Sequence, residues 1–263
     1  LQIILSLTSV IFTIAALESF NEDLVTYRIL AIVVANALTF FIASVVLGDL
    51  FSSKNRITIQ RLKLSALYIF SFGIPLILHQ SSFFIKGQLD RLFIYEQYTK
   101  AELGIYSAGV QVAAVLPIVL MALNKAIVPY YYQGLKEKKL SIQSIKKYTL
   151  FCLALCIIPA FIGYVLPTSV YVWFLGEKYA DSKYYVVMYL LGYGANLPYL
   201  MLVNYLFFHA KSKLIASITF ICSIFYVVLM VVLGQYSIEY IPYALILSNI
   251  LMVLILWLII ERI

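Results

Sequence analysis

Apolar residues fall along this chain in long runs, at 1–17, 29–47, 64–85, 103–129, 148–175, 184–208, 214–233 and 241–260. Each is close to the twenty or so residues that a helix needs to cross hydrocarbon. Alternation at period two is weak, and the runs are too long for the strands of an outer-membrane barrel. The pattern therefore predicts an all-α, polytopic transmembrane helix bundle of about eight spans. Most connections are short, so consecutive helices should pack antiparallel. Pro75, Pro117, Pro129, Pro159, Pro167, Pro198 and Pro242 punctuate the runs. Each removes a backbone hydrogen bond and bends its helix. At Pro75 and Pro117 the bend could be static or could serve as a hinge.

One polar, basic segment, residues 49–63, interrupts the pattern and separates two helices (1–48) from six (64–263). The first run starts at Leu1 with no methionine or basic segment ahead of it, so the chain reads as a piece of a longer protein with helices upstream. Its end, Trp257 to Ile263, fits either a natural terminus or a cut.

Composition agrees with the pattern: 63% of residues are hydrophobic, 12% are charged, and the mean hydropathy is +0.97. The net charge of +7 is unevenly placed. Alternate connections hold Lys54, Arg56, Arg61, Lys63, then Lys136, Lys138, Lys139, Lys146, Lys147, then Lys211, Lys213, then Arg262. The other set holds Arg28, Lys86, Arg91, Lys100, Lys178 and Lys183, and most of the acids, including Glu22 and Asp23. The positive-inside rule then places Leu1 and Ile263 on the cytoplasmic side of a bacterial or archaeal cytoplasmic membrane. The basic excess reports topology, so no nucleic-acid partner is implied. Cys152, Cys156 and Cys222 lack the further ligands of a metal site and read as small packing residues. No metal or other cofactor is expected. His79 and His209 are isolated from acids and cysteines, although His79 lies in a span and could line a cavity.

The residues that stand out are charged ones in apolar surroundings: Lys86, Asp90, Arg91 and Lys125. A charge at a helix centre costs about 2.5–3.5 kcal/mol on insertion scales, so it faces a partner or a wet cavity. Lys86 and Asp90 are four apart and share a face, where they could pair locally. Alternatively, Lys86, Arg91 and Lys125 form the basic lining of a cavity that receives an anion, with Arg suited to phosphate by its planar fork. These charges lie beyond the third apolar run, at its outer end, and Lys125 lies towards the other end of the next. In the sixth run Tyr185, Tyr189, Gly192, Asn196 and Tyr199 recur at helical spacing. Such a semi-polar face avoids lipid. It serves either interhelical hydrogen bonds or a sugar surface, for which Tyr189 and Asn196 are the candidates.

In order along the chain come Phe72-Gly73-Ile74-Pro75, Asp90-Arg91, Leu103-Gly104-Ile105-Tyr106-Ser107-Ala108 and Val128-Pro129, then the turns Gly176-Glu177-Lys178-Tyr179 and Ala210-Lys211-Ser212-Lys213. This series resembles the Wzx-type polysaccharide and O-antigen flippases of the multidrug/oligosaccharidyl-lipid/polysaccharide exporter superfamily. The resemblance implies that the eight spans correspond to the fifth to twelfth helices of a two-lobe exporter. Residues 1–48 would end the N-terminal lobe, 49–63 would link the lobes, and 64–263 would form the six-helix C-terminal lobe. It also implies a transporter, not an enzyme. The protein would flip a polyprenyl-pyrophosphate-linked oligosaccharide for O-antigen, capsule or exopolysaccharide synthesis by alternating access. Its partners would be the lipid-linked oligosaccharide, membrane lipid, and glycosyltransferase or polymerase machinery. Lys86, Asp90, Arg91, Lys125, Tyr189 and Asn196 are the translocation candidates. The alternatives are a drug/cation antiporter of the same superfamily, which the basic character of the charges disfavours, and a membrane polymerase or glycosyltransferase, which would want a large external loop.

Overall fold

In hydrocarbon every backbone N–H and C=O must find a partner within the protein, and a helix does this locally. The computed structural model describes residues 2–19, 24–51 and 59–261, and all its regular elements are helical. Seven described helices are long and apolar enough to cross a membrane: Thr26–Val46, Ile59–Gln97, Lys100–Lys136, Ile142–Val165, Ser182–Phe208, Ser212–Gly234 and Ile238–Ile260. The first expected span falls within the helix Gln2–Ser19, where Leu7–Glu18 is the apolar stretch found among the described residues. The protein is an all-α, multi-pass membrane bundle. Lys54 and Arg56 of the polar segment, Glu22, Asp23 and Arg262 lie outside the described residues.

The chain divides into two compact units, Leu1–Lys63 and Leu64–Ile263. In the first, α1 (Gln2–Ser19) packs on α2 (Leu24–Phe51). Ala31 and Ala35, one turn apart, are its buried small residues. Asn36, Thr39 and Ser44 return their side chains to the carbonyls four residues back, at 2.8 Å each. One donor of each side chain is thereby satisfied without water.

The second unit contains most of α3 (Ile59–Gln97), then α4 (Lys100–Ala113), α5 (Val115–Lys136), α6 (Ile142–Leu155), α7 (Ile158–Val165), α8 (Thr168–Leu175), α9 (Ser182–Gly194), α10 (Asn196–Phe208), α11 (Ser212–Gly234) and α12 (Ile241–Ile260). Three spans are broken, and proline sets each break. A proline ring crowds the carbonyl four residues earlier. Four residues before Pro117, Pro159 and Pro198 stand Ala113, Leu155 and Gly194, the last residues of α4, α6 and α9. Pro75 and Pro129, by contrast, lie inside continuous helices. Pro167 caps α8 and so ends the expected 148–175 span at Val165.

Two of the breaks meet. A Cβ at Gly194 would lie 2.2 Å from the Cys156 carbonyl oxygen, so only glycine lets the α9/α10 break sit against the α6/α7 break. Helix α9 is central, packing on α4, α7 and α12, while α11 pairs with α12. At one end of the unit Tyr98 donates to the Gly234 carbonyl (2.5 Å) and Tyr184 to the Glu239 carbonyl (2.8 Å). The turn after α8 takes a φ of +94° at Gly176, open to glycine and strained for other residues. At the opposite end Lys146 pairs with Glu261 and lies 5.0 Å over the Trp257 ring.

Candidate functional site

Helix α3 carries the site. It has 39 residues, roughly 58 Å at 1.5 Å per residue, well beyond the hydrocarbon thickness. Lys86, Asp90 and Arg91 lie within this helix, which runs on for six or more residues past them to Gln97. The buried positions His79, Ser82, Lys86, Asp90 and Ile94 recur every three or four residues and form one stripe. Most of the stripe is polar, and α4, α9, α10, α11 and α12 supply partners for it.

At its centre the Asp90 carboxylate is fully buried. Oδ2 accepts from the Tyr106 hydroxyl at 2.5 Å and the Tyr189 hydroxyl at 2.7 Å, and those two hydroxyls also touch each other. Oδ1 accepts the Arg91 backbone N–H at 2.8 Å. Three donors thus stand in for the water that a carboxylate loses on burial. The Tyr106 and Tyr189 rings meet edge to face, with centroids 5.7 Å apart. Tyr226 of α11 is buried in the same cluster, and its hydroxyl has no partner among the described residues.

One turn away Lys86 is 5% exposed, and its Nζ donates to Asn249 Oδ1 of α12 at 3.1 Å. The Asn249 amide in turn donates to the Gly192 carbonyl of α9 at 3.0 Å. The local Lys86–Asp90 salt bridge that the spacing allowed is not formed. The ammonium is drawn to α12 and the carboxylate to α4 and α9, so the two charges tie three neighbouring helices to α3. One turn, about 6 Å along the axis, separates their positions.

Further along the stripe, His79 Nδ1 lies 3.1 Å from Thr219 Oγ1 and Nε2 lies 3.3 Å from the Tyr199 hydroxyl. Thr219 already directs its proton to the Ile215 or Ala216 carbonyl. The network therefore assigns the histidine proton to Nδ1, with Nε2 accepting from Tyr199.

Structure brings Asp90 and Tyr189 together and sets Lys86 beside them. The other sequence candidates stand apart. Arg91 is half-buried: Nη1 donates to Gln88 Oε1 at 3.3 Å, and Nε is buried without a partner among the described residues. Lys125 is exposed on α5 and makes no ion pair there among the described residues. Asn196, at the start of α10, lines a cavity of about 330 Å³ between α3, α5 and α10. None of Lys86, Arg91 and Lys125 lines that cavity.

Sequence reasoning passed over Tyr226, Thr219 and Asn249 and gave Tyr106 no role. Asn249 was the readable one, since an amide in the last, otherwise apolar span has to find a partner. No group of three His, Cys, Asp or Glu side chains capable of holding a metal occurs among the described residues.

A buried charged seam in a membrane bundle invites comparison with known families. The sequence profile of the polysaccharide biosynthesis protein family matches residues 1–135. The chain belongs to this family. Over 93% of its length it is 43% identical to a protein named for the Lsg locus of Haemophilus influenzae. Over the same share it is 35% identical to an uncharacterised membrane protein of that organism. The chain covers 61% and 60% of these two relatives. No solved structure matches it. Together with the seven described helices that are long and apolar enough to cross a membrane, membership makes this a membrane protein of the polysaccharide biosynthesis family.

Proposed function

We propose that this chain is the C-terminal part of a flippase that moves a polyprenyl-pyrophosphate-linked oligosaccharide across the cytoplasmic membrane. The observation that carries the reading is the polar stripe from His79 to Asp90, buried along a membrane-spanning helix. A bundle needed only for structure gains nothing from such groups, because apolar residues of similar volume pack as well or better. A protein that passes a sugar head group through lipid needs a polar path with satisfied walls.

The division of labour follows from the partners. Asp90 is enclosed by tyrosines and Lys86 is held by a neutral amide, so these two shape the wall. Arg91, bonded through one nitrogen to Gln88, and Lys125, exposed, keep charge available for the pyrophosphate. Tyr189 orients the carboxylate, and Asn196 faces sugar. In the full-length protein a second lobe completes the path, residues 49–63 link the lobes, and the basic connections lie on the cytoplasmic side.

The test uses a strain that lacks the full-length gene. Deletion should remove surface polysaccharide and leave lipid-linked repeat units on the inner leaflet. Single repeat units accumulating outside the cell would replace this reading with a polymerase. Complementation with Arg91→Gln/Lys125→Gln should restore membrane levels of the protein and leave export at least tenfold down. Full export by that variant would remove both residues from the path.

A further inference from the structure

The cavity between α3, α5 and α10 has a lining that selects its occupant, and we infer that it is a binding site for one uncharged monosaccharide unit. This rests on the flippase reading and specifies where the neutral part of the cargo sits. The cavity holds about 330 Å³, at the lower end of the range for small-molecule sites, which suits a single sugar ring better than an oligosaccharide.

The lining contains no lysine, arginine, aspartate or glutamate, so neither the pyrophosphate nor a cationic compound finds a counter-charge there. Its histidine is occupied, with both ring nitrogens engaged by Thr219 and Tyr199. What it does contain is amide. Asn204 Nδ2 donates to Asn124 Oδ1 at 2.7 Å. That bond leaves the Asn124 N–H donors and the Asn204 carbonyl oxygen unspent, side by side on facing helices. The side chains of Gln80, at the exposed rim, and Asn196, further in, make no hydrogen bond among the described residues.

A hydroxyl both donates and accepts, and adjacent ring hydroxyls would meet a donor on one asparagine and an acceptor on the other. An alkyl or polyprenyl chain in the same space would cover the apolar wall but leave these amides desolvated and unpaired. The remaining walls are apolar: Leu76, Pro117, Leu120, Met121, Leu200 and Val203 are aliphatic. Phe83 and Tyr199 add rings whose centroids are 5.8 Å apart, and Phe207 packs on His79 at 6.1 Å. Such walls accept the C–H faces of a pyranose, whose rims are polar and whose faces are not.

Saturation-transfer difference NMR on the purified full-length protein tests this, with N-acetylglucosamine and glucose as probes and methyl phosphate as the anionic control. The sugars should give a signal that methyl phosphate does not. Asn196→Leu and Asn204→Leu should each reduce it at least threefold. Gln80→Leu, on the exposed rim where folding is not at stake, should weaken it as well and keeps the test valid if the inner variants do not fold. Absent sugar signals, signals unchanged in the variants, or an equal signal from methyl phosphate would overturn the site. Export in the complementation assay is read separately. A protein that exports polysaccharide without binding these sugars rejects the site alone, whereas one that binds sugar without supporting export rejects the flippase reading.

Discussion

At the scale of single residues, Asp90 and Lys86 set the stakes. Each is a buried charge whose compensation comes from a neighbour that can be removed. Breaking a buried charged network by deleting one member costs about 3–5 kcal/mol, because the other member is stranded. Lys86→Met and Asp90→Asn should therefore each lower the thermal stability of the full-length protein in detergent substantially. Together they should cost at least 1 kcal/mol less than their sum, since the double variant strands no charge. Strict additivity would show that the two do not sense each other across the helix turn. Tyr189→Phe removes one of two hydroxyl donors to the carboxylate and should cost about 1.5–3 kcal/mol, the usual worth of a hydrogen bond to a charged group. Tyr106→Phe should act alike, and a stabilising effect of either would mean the hydroxyls crowd the carboxylate more than they solvate it. Sequence showed which charges were unusual but not whom they meet. The spacing of Lys86 and Asp90 was compatible with a local pair, and the choice against it was made by Asn249, 163 residues away in the chain.

Among elements, the broken helices explain the shape of the second unit. The apolar runs revealed that spans exist and roughly where, because lipid dictates their length. They could not reveal that Pro117, Pro159 and Pro198 end helices while Pro75 and Pro129 do not. That difference depends on whether neighbouring elements accommodate the disrupted turn, which is a tertiary property. Nor did they show α3 continuing past residue 85 to Gln97, since the polar residues that closed the run become buried against other helices. The semi-polar face of the sixth span was legible, and Tyr189 and Tyr199 do meet the α3 stripe, yet the face is shared by two helices, α9 and α10. Glycine supplies a sharp contrast for testing the packing. Gly194→Ala places a methyl on the Cys156 backbone oxygen and should destabilise strongly, whereas a Cβ at Gly87 meets nothing within 4 Å. Gly87→Ala should be neutral or stabilising by about 0.5–1 kcal/mol through helix propensity. Equal melting temperatures for the two variants would show that the breaks are not in contact.

For the whole molecule, two ties hold opposite ends of the second unit: the tyrosine bonds at Gly234 and Glu239, and the Lys146–Glu261 pair under Trp257. The second is partly exposed and screened, so Lys146→Gln should cost no more than about 1 kcal/mol. A much larger loss in thermal unfolding would mean that the pair anchors α12. Between these ends, the contact of Gly194 with Cys156 has a kinetic consequence. A helix broken at proline frees carbonyls and leaves nearby amides weakly held, and here two such breaks lie back to back inside the bundle. Most membrane helices exchange their amide hydrogens slowest in the middle and fastest at the frayed ends. In this unit deuterium should enter at the two breaks ahead of the intact turns of α11 and α12, so the gradient of exchange along these spans would run from the inside outwards.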